Sequence, residues 1–367
     1  MAARRLRSVR GSEEHARQHA DLQHTVDLIT PHALREPRPS GPPPDPQAEQ
    51  RWRRIRRAAY VGYFAVLVVI VIETGVPTSR PALAAIVISG LLLTSIGHSW
   101  RKSAQVVLDW LPFTGVLLLY DRTRGVADAL GVPLHEKDVL DAEKWLFGGT
   151  EPTVWLQQHL YHPPHVYWYD ALATLVYTTH FLATPVLAAI LWLRDRSQWL
   201  RYISRVVVLA VTGLITYCLF PEAPPWMAAQ HGLSPSVGRL SARGWIWLHA
   251  GNVNETLANA QKEGANPVAA MPSLHTAFAV LVAIAIGWRF RSRWRWLLAL
   301  YPTAMGLTLV YCGEHYVLDV LAGVLYAVAV HLGLNAWERR RAGLKAGPKE
   351  PGRRVEGEVS EGQPSSL

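Results

Sequence analysis

Two histidines and an aspartate in the last third of the chain have residue types and spacings suited to acid, base and nucleophilic chemistry. In GEHYVLD, His315 and Asp319 lie four residues apart, and they share one helix face if a helix begins near His315. A carboxylate that accepts a hydrogen bond from one imidazole N–H fixes the tautomer and leaves the other nitrogen free to react. The alternative is a helix-capping pair with a structural hydrogen bond.

A second segment, AAMPSLHTAFAVLVAIAIGW, is a long apolar run that opens with Pro272, Ser273 and His275. Proline suits the first turn of a helix, where backbone N–H groups without helical partners attract an anion. We expect the amides of Ser273, Leu274 and His275 to form such a site, and His275 to donate a proton to a leaving oxygen. The alternative is that Ser273 only caps the helix beside an interfacial histidine.

Arginines could supply the positive charge that a bound phosphate requires. Arg122 and Arg124 lie in YDRTRGVAD, and an arginine fork fits phosphate oxygens in bidentate geometry. The alternative is a solvated turn in which they pair with Asp121 and Asp128. An anion site, an oriented histidine, a second histidine and an arginine together indicate phosphoryl transfer through a phosphohistidine, although each feature alone has a simpler interpretation.

The elements that position these residues are apolar runs long enough to cross a membrane. Half of the 367 residues are hydrophobic, and the long uncharged runs favour an all-α polytopic membrane protein with about eight transmembrane helices in one bundle. The expected spans are Ala58 to Val76, Ala82 to Trp100, Ser103 to Tyr120, Trp168 to Leu193, Val206 to Phe220, Val268 to Trp288, Trp296 to Cys312 and Val317 to Ala336.

The formal charge of +9 does not indicate nucleic-acid binding, because the basic residues fall between apolar runs rather than on one face. Every second connection is basic, which predicts a multi-pass cell-membrane protein with both termini in the cytoplasm. The basic residues of these connections are Arg51, Arg53, Arg54, Arg56, Arg57, Arg101, Lys102, Arg194, Arg196, Arg201, Arg205, Arg289, Arg291, Arg293, Arg295, Arg339, Arg340 and Arg341.

The segments that carry chemistry all fall on the opposite side of this topology. YDRTRGVAD, FPEAPPWM, MPSLH and GEHYVLD each adjoin the outer end of an expected span. Because the topology was assigned from basic residues alone, the coincidence is informative, and it predicts that the four segments converge on one extracytoplasmic face.

Composition divides the chain into four parts. Residues 1–50 are polar, basic and proline-rich and are expected to form a disordered tail with no evident signal peptide. Residues 51–110 are expected to hold the first transmembrane helices and residues 111–340 the catalytic membrane domain. Residues 341–367 are expected to form a second disordered tail.

Five other histidines are assigned structural roles. His159, His162 and His165 could bind zinc, but the two prolines in HLYHPPHVY prevent a regular helix that would aim them together. His180 and His331 fall inside expected spans, where ionisable residues are functional candidates. We expect these two to be neutral histidines hydrogen-bonded to neighbouring helices.

PSLH and, about forty residues later, HYVLD resemble motifs of the type 2 phosphatidic acid phosphatase (PAP2) superfamily, in its inositol phosphorylceramide synthase-like branch. FPEAPPWM is similar to that branch's Pro-Pro-Trp segment, and YDRTRGVAD and EKWLFGGTEPTVWLQ are similar to segments of its bacterial members. The resemblance covers Leu111 to Ala336. It implies that His315 is the nucleophile, that Asp319 orients it and that His275 is the general acid. It also implies that Ser273 and its neighbouring amides hold phosphate oxygens.

The chain departs from the superfamily pattern at the positions that bind phosphate. The usual first motif, a lysine with Arg-Pro seven residues later, has no match. The serine and arginine that usually precede the nucleophile by seven and six residues correspond to Thr308 and Leu309, so that arginine is missing. Arg124 or Arg122 is therefore the expected phosphate ligand.

The expected function is that of an integral membrane phosphotransferase or phosphatase acting on a phospholipid headgroup, with an alcohol or water as acceptor. The resemblance favours an inositolphosphotransferase. No metal or cofactor is expected, because cationic groups and helix amides can stabilise the charge. The alternatives are a non-catalytic anion or lipid transporter and a metalloenzyme with His275, His315 and Asp319 as ligands. The donor lipid, the acceptor and the oligomeric state are left open.

Overall fold

The computed structural model describes residues 45–345, except 75–79, 123–128, 250–267 and 291. These residues form helices joined by turns, with two isolated backbone bridges and no strand among them. The α-helices are α1 (Pro46–Thr74), α2 (Arg80–Leu92), α3 (Trp100–Arg122), α4 (Lys137–Leu146), α5 (Pro152–Leu160), α6 (Trp168–Arg194), α7 (Arg196–Leu219), α8 (Pro225–Gln230), α9 (Gly244–Trp247), α10 (Leu274–Gly287), α11 (Leu300–Tyr311) and α12 (Val317–Lys345). Leu93–Ser95 and Arg293–Ala299 are 3-10 helices.

The helical fold class expected from the apolar runs is confirmed. Within the described ranges, α6, α7 and α12 are long and apolar enough to cross a membrane, and α10 and the Ala84–Ser95 segment are shorter apolar helices. Fewer helices meet this length criterion than the eight transmembrane helices expected. One reason is that α10 and α11 have 14 and 12 residues. At 1.5 Å per residue they extend about 21 and 18 Å, less than the hydrocarbon core of about 30 Å.

The outer faces of the helices expose large apolar side chains. Val61 in α1, Leu307 in α11 and Leu325 in α12 are 72%, 62% and 68% exposed. Soluble monomers rarely expose continuous apolar surface, whereas lipid-facing helices do. These faces support a membrane location for the protein.

The centre of the bundle is α10, which packs against α6, α7, α11 and α12. Its sequence, LHTAFAVLVAIAIG, is apolar on every side, and a helix of that kind has to be surrounded by other helices or lipid. Ala277, Leu281 and Ala285 are fully or almost fully buried, and they belong to one core cluster with side chains from α3, α6, α7 and α12. The motif that precedes α10 is thereby anchored to the most buried helix of the described residues.

The contact between α10 and α12 depends on a glycine. A Cβ atom at Gly323 would overlap the carbonyl oxygen of Ser273 and would lie 3.5 Å from the amide nitrogen of Ala277. The close approach allows the Ser273 N–H to donate to the carbonyl oxygen of Asp319 at 3.0 Å. Backbone contact therefore holds together the two helices that carry the histidine motifs.

Replacing Gly323 by alanine is expected to destabilise the protein by about 1–3 kcal/mol, because the atoms in the way belong to the backbone and α10 itself would have to move. Gly333→Ala is the matched control in the same helix, since nothing lies within 4 Å of its added Cβ. That variant should be neutral or up to about 1 kcal/mol more stable. Thermal unfolding in detergent measures both, and equal melting temperatures would contradict the close contact.

The ends of the helical region differ from the expected tail boundaries. α1 begins at Pro46, inside the expected tail of residues 1–50, and α12 continues to Lys345, inside the expected tail of residues 341–367. The Asp45 side chain accepts a backbone N–H of the first turn of α1, so a polar cap and good helix formers extend the helix beyond the apolar run. The remainder of both expected tails lies outside the described residues.

Candidate active site

The structure brings His275, His315 and Asp319 together. His315 Nδ1 lies 3.3 Å from Asp319 Oδ2, and His315 Nε2 lies 3.4 Å from His275 Nδ1. Asp319 and His315 are buried, whereas His275 is partly exposed. If His315 Nδ1–H donates to the carboxylate, its Nε2 carries the reactive lone pair and faces His275. Both distances are at the long end for hydrogen bonds, and such contacts can tighten when a substrate binds.

The proximity of His315 to Asp319 comes from a turn rather than from a common helix face. α12 begins at Val317, so His315 precedes it and Asp319 occupies its first turn. Asp319 Oδ2 also accepts the Tyr316 N–H at 2.8 Å, in the manner of a residue that reaches back to cap its own helix. Gly313, with φ of +74°, makes the preceding turn. The geometry thus combines imidazole orientation and helix capping, the two roles considered for this pair.

The start of α10 differs in part from the expected anion site. Ser273 is the N-cap, and its Oγ accepts the Thr276 N–H at 3.3 Å. The Ser273 N–H is already bonded to Asp319, and the residue is 0% exposed. Ser273 therefore fixes the helix start. The amides of Leu274 and His275 lie in the first turn, where the helix itself offers no acceptor, and they are the candidates for binding phosphate oxygens.

Pro272 does not lie in the first turn of α10, where it was expected. It precedes the N-cap, and the Met271–Pro272 peptide bond is cis. Tyr217, near the end of α7, donates its hydroxyl to the Pro272 carbonyl oxygen at 2.8 Å. The motif is thereby tied to a second helix of the bundle.

Three of the four segments expected to converge are described, and they do meet. FPEAPPWM contacts GEHYVLD through the Trp226 N–H, which donates to the Gly313 carbonyl oxygen at 3.2 Å. MPSLH contacts GEHYVLD through the Ser273 amide. The fourth segment, YDRTRGVAD, falls largely outside the described residues: Arg122 ends α3 without a described side chain, and Arg124 is not described at all.

An arginine from a distant loop lies next to the histidine motif. Arg239 Nε is 2.9 Å from Glu314 Oε1, and its guanidinium lies 5.1 Å from the centre of the Trp226 ring. Ser241 donates its hydroxyl to the same Glu314 oxygen at 2.5 Å. Because Glu314 directly precedes His315, these contacts place a cation beside the site. No local pattern in SVGRLSARG distinguishes Arg239 from other loop arginines.

The ring of His275 packs against aromatic residues of α6. The His180 and His275 ring centres are 4.0 Å apart, and the Tyr177 ring stacks on His275 at 5.3 Å. His180 was assigned a structural role because it lies inside an apolar helix. The ring contact with His275 places this histidine beside the candidate site.

Two buried carboxyl groups, those of Glu143 and Glu222, lie close to Asp319. Glu143 in α4 is 1% exposed, and its Oε2 accepts the Leu318 N–H at 3.4 Å. Burial raises the pKa of Glu143 to about 8, and the charge of Asp319 adds to this effect. Glu222, in FPEAPPWM, is 0% exposed, and burial together with Asp319 raises its pKa far above the ordinary range. Neither glutamate belongs to a local sequence motif that indicates a role in catalysis.

No group of three or more histidine, cysteine, aspartate or glutamate side chains within the described ranges is arranged to hold a metal ion. In the HLYHPPHVY segment, His159 Nδ1 lies 2.7 Å from the Trp155 carbonyl oxygen, and His162 Nε2 lies 3.0 Å from the His159 carbonyl oxygen. These rings bind backbone oxygens rather than converge on one point.

The family model of the PAP2 superfamily matches residues 137–333, which is more than half of the chain and includes both histidine motifs. The chain belongs to the PAP2 superfamily. The protein is therefore a phosphotransferase or phosphatase of that superfamily.

Two curated relatives specify the branch of the PAP2 superfamily. The chain is 28% identical over 251 residues to a phosphoinositol dihydroceramide synthase of Bacteroides thetaiotaomicron, covering 65% of this chain and 78% of that protein. It is 26% identical over 174 residues to an inositol phosphorylceramide synthase of Candida albicans, covering 44% of this chain but only 35% of that protein. No solved structure matches the chain. These similarities assign it to the inositol phosphorylceramide synthase-like branch.

Proposed function

We propose that this PAP2 protein transfers a phosphorylated headgroup from a phospholipid to an acceptor alcohol through a phosphohistidine intermediate on His315. The observation that carries the proposal is the contact series from His275 to His315 to Asp319, at 3.4 and 3.3 Å. It provides a nucleophile, a carboxylate that orients the nucleophile, and a second base that can move protons.

The proposed reaction has two displacements at phosphorus. His315 Nε2 attacks and forms an N–P bond, while the P–O bond to the lipid alcohol breaks and His275 gives its proton to the departing oxygen. The acceptor hydroxyl then attacks phosphorus, His275 takes the hydroxyl proton, and the N–P bond breaks. Asp319 keeps its hydrogen bond with His315 Nδ1–H and stabilises the cationic ring of the intermediate. With water as the acceptor and a lipid phosphate monoester as the donor, the same steps make the protein a phosphatase.

An apolar groove supports a lipid substrate. A cavity of about 1120 Å³ lies between α10, α11 and α12 and is bounded on the other side by α5 and the turn that connects α4 to it. Thr276 and Val317, which neighbour the two motifs, line it, and Arg295 and Trp296 also line it. We propose that lipid hydrocarbon occupies this groove, because its apolar lining reaches the residues that adjoin His275 and Tyr316.

The identity of the headgroup is proposed from the relatives. The names of both curated relatives join a phosphoinositol group to a ceramide-type lipid. For this chain we propose a phosphoinositol lipid as donor and a long-chain amino alcohol of the ceramide type as acceptor. Water is the alternative acceptor.

The proposed topology keeps the eight spans. Each expected apolar run is helical in the structure over most of its described length. With basic connections on the cytoplasmic side, the histidine motifs and both termini take opposite sides of the membrane. The active site is then extracytoplasmic, at the outer ends of α7, α10 and α12.

Phosphate binding at the Ser273 motif is proposed for the amides of Leu274 and His275, and a further phosphate contact is proposed for an arginine. Replacing Arg122, Arg124 and Arg239 individually by alanine should reveal which arginine binds phosphate, by a loss of transfer rate of about 10²-fold or more. Glu314→Gln is the control for Arg239, because it breaks the same ion pair and keeps the cation. Full turnover in both Arg122→Ala and Arg124→Ala would refute the assignment to those two residues, and equal losses in Arg239→Ala and Glu314→Gln would indicate only a structural role for Arg239.

A lipid assay tests the proposed function. Purified protein in vesicles that contain a phosphoinositol lipid labelled in the headgroup, with or without dihydroceramide, is compared with His315→Ala. Transfer predicts a labelled ceramide product that requires dihydroceramide, whereas hydrolysis predicts a labelled, water-soluble inositol phosphate. If wild type consumes no lipid phosphate in either condition, the enzyme proposal fails and an anion or lipid transporter becomes the better interpretation. Unchanged activity with a chelator would argue against a metalloenzyme.

A further inference from the structure

Glu222 lies behind Asp319, on a loop whose backbone is held from two sides. Its N–H donates to the Val268 carbonyl oxygen at 2.9 Å, and the N–H of the next residue, Ala223, donates to the His135 carbonyl oxygen at 3.0 Å. Isolated backbone bridges join Glu222 to His135 and to Ala269. The glutamate is 0% exposed, so its carboxyl group is fixed in the protein interior by the segments around it.

The carboxyl groups of Glu222 and Asp319 lie within hydrogen-bonding reach of each other. Among the described residues, no donor reaches either oxygen of Glu222 or Oδ1 of Asp319. Buried polar atoms are rarely left without a partner, and two carboxyl groups in contact cannot both ionise at moderate cost. A single proton held between Glu222 and Asp319 provides a hydrogen bond that satisfies both groups.

The surroundings decide which of the two carries that proton. Asp319 Oδ2 accepts the Tyr316 N–H and faces His315 Nδ1, so this oxygen already has two hydrogen-bond partners. Neither carboxyl oxygen of Glu222 has a donor within the part of the chain that the structure describes. The charged residues that raise the pKa of Glu222 from the neighbouring helices are Asp319 in α12 and Asp138 and Glu143 in α4. All three are acidic.

The other titratable neighbours of Glu222 do not offset this negative charge. The phenol of Tyr316 also lies close by. The imidazole of His135, on the segment bridged to Glu222, is bonded to Asp138 at 2.5 Å. These surroundings favour a neutral Glu222 carboxyl group.

We propose that Glu222 is a positioning residue that stays protonated and donates a hydrogen bond to Asp319 Oδ1, so that Oδ2 stays directed at His315 Nδ1. The proposal rests on the proposed role of His315 as nucleophile. A carboxylate held by only one oxygen can rotate about its terminal bond, whereas a donor on the second oxygen restricts that rotation. Sharing the proton also spreads the charge of Asp319, so that the proton on His315 Nδ1 remains on the ring while Nε2 attacks phosphorus.

The test compares Glu222→Gln with Glu222→Leu. Glutamine keeps an N–H donor for Asp319 without a titratable group, whereas leucine has a similar size and no donor. We expect Glu222→Gln to keep kcat within about threefold of wild type, and Glu222→Leu to lower kcat about 10- to 100-fold with little change in KM, as one lost hydrogen bond to a charged group predicts. Equal losses in both variants, or no loss in Glu222→Leu, would overturn the proposal.

Thermal unfolding at different pH values tests the protonated state without using activity. An acid whose pKa is higher in the folded than in the unfolded protein releases a proton on unfolding, so its contribution to stability falls as pH rises between the two values. Burial and Asp319 raise the folded pKa of Glu222 far above the ordinary 4.5. The melting temperature of Glu222→Gln minus that of wild type should therefore increase steadily from about pH 5 to pH 9.

Glu143→Gln is the matched control for this measurement. Burial raises the pKa of Glu143 to about 8. The difference in melting temperature between Glu143→Gln and wild type should therefore increase only up to about pH 8 and then stay constant. A constant difference between Glu222→Gln and wild type across the range would show that Glu222 is ionised in the folded protein and would refute the proposal. Failure of wild type to transfer lipid phosphate would refute the proposed function while leaving this melting result interpretable.

Discussion

Replacing His315 by alanine is expected to lower lipid turnover by about 10⁴- to 10⁶-fold and to abolish a covalent phosphoprotein. Loss of a nucleophile that acts in concert with its partners removes nearly the whole rate enhancement that those residues supply together. The structure places His315 Nε2 3.4 Å from His275 Nδ1, and no other side chain is needed to accept the phosphoryl group. Rapid quenching after mixing with lipid labelled at phosphorus measures the adduct directly.

His331→Ala is the control for this experiment. His331 is also a histidine of α12, and its Nε2 lies 2.8 Å from the side-chain amide nitrogen of Asn335. It lies 14 residues beyond Val317, or about 21 Å along the helix, so it should not affect the adduct. A labelled adduct that persists in His315→Ala would contradict the assignment of the nucleophile, as would turnover by wild type with no adduct at any quench time.

His275→Ala is expected to slow transfer from a phospholipid by about 10²- to 10⁴-fold, because an alkoxide is a poor leaving group without general acid catalysis. The loss should shrink to less than about tenfold when the donor is a nitrophenyl phosphodiester. Nitrophenolate leaves without being protonated. The ratio of the two losses, measured as kcat/KM for both substrates, is therefore the diagnostic quantity.

The nitrophenyl comparison also separates proton transfer from packing. The centre of the His275 ring lies 4.0 Å from that of His180 and 5.3 Å from that of Tyr177. A loss of activity caused only by disturbed packing of these rings would affect both substrates equally. His180→Ala serves as the control, because it disturbs the packing of the same rings and leaves the imidazole of His275 in place. Equal losses for both donors in His275→Ala would refute its role as general acid.

The local features of the fold were largely predictable. Apolar composition and length are enough to predict helices, because a long uncharged run in lipid has to satisfy its backbone internally, and the described part of the chain is helical. Helix ends were less predictable. Asp45 extends α1 into the expected tail, since a cap and good helix formers continue a helix beyond the apolar residues.

The site was predictable where its residues form short motifs. His275, His315 and Asp319 were identified from their types and spacing, and the structure brings them together. Arg122 and Arg124 remain proposals, because their side chains lie outside the described residues. Arg239 and Glu222 could not be assigned from the sequence: Arg239 is brought to the site by the fold of its loop, and Glu222 by backbone bridges to segments far away in the chain.

The amino-acid sequence by itself determined the helical class, the alternation of basic connections and the three residues proposed for the chemistry, because each depends on composition or on spacing within a few residues. Only the tertiary structure decided how these residues are held. Gly323 allows α12 to approach α10 until the Ser273 amide binds Asp319, so an amide expected to bind phosphate instead joins two helices. Backbone bridges to His135 and Ala269 hold the buried Glu222 near Asp319. The proximity of two carboxyl groups, which no local sequence pattern shows, underlies the protonation that we propose for the site.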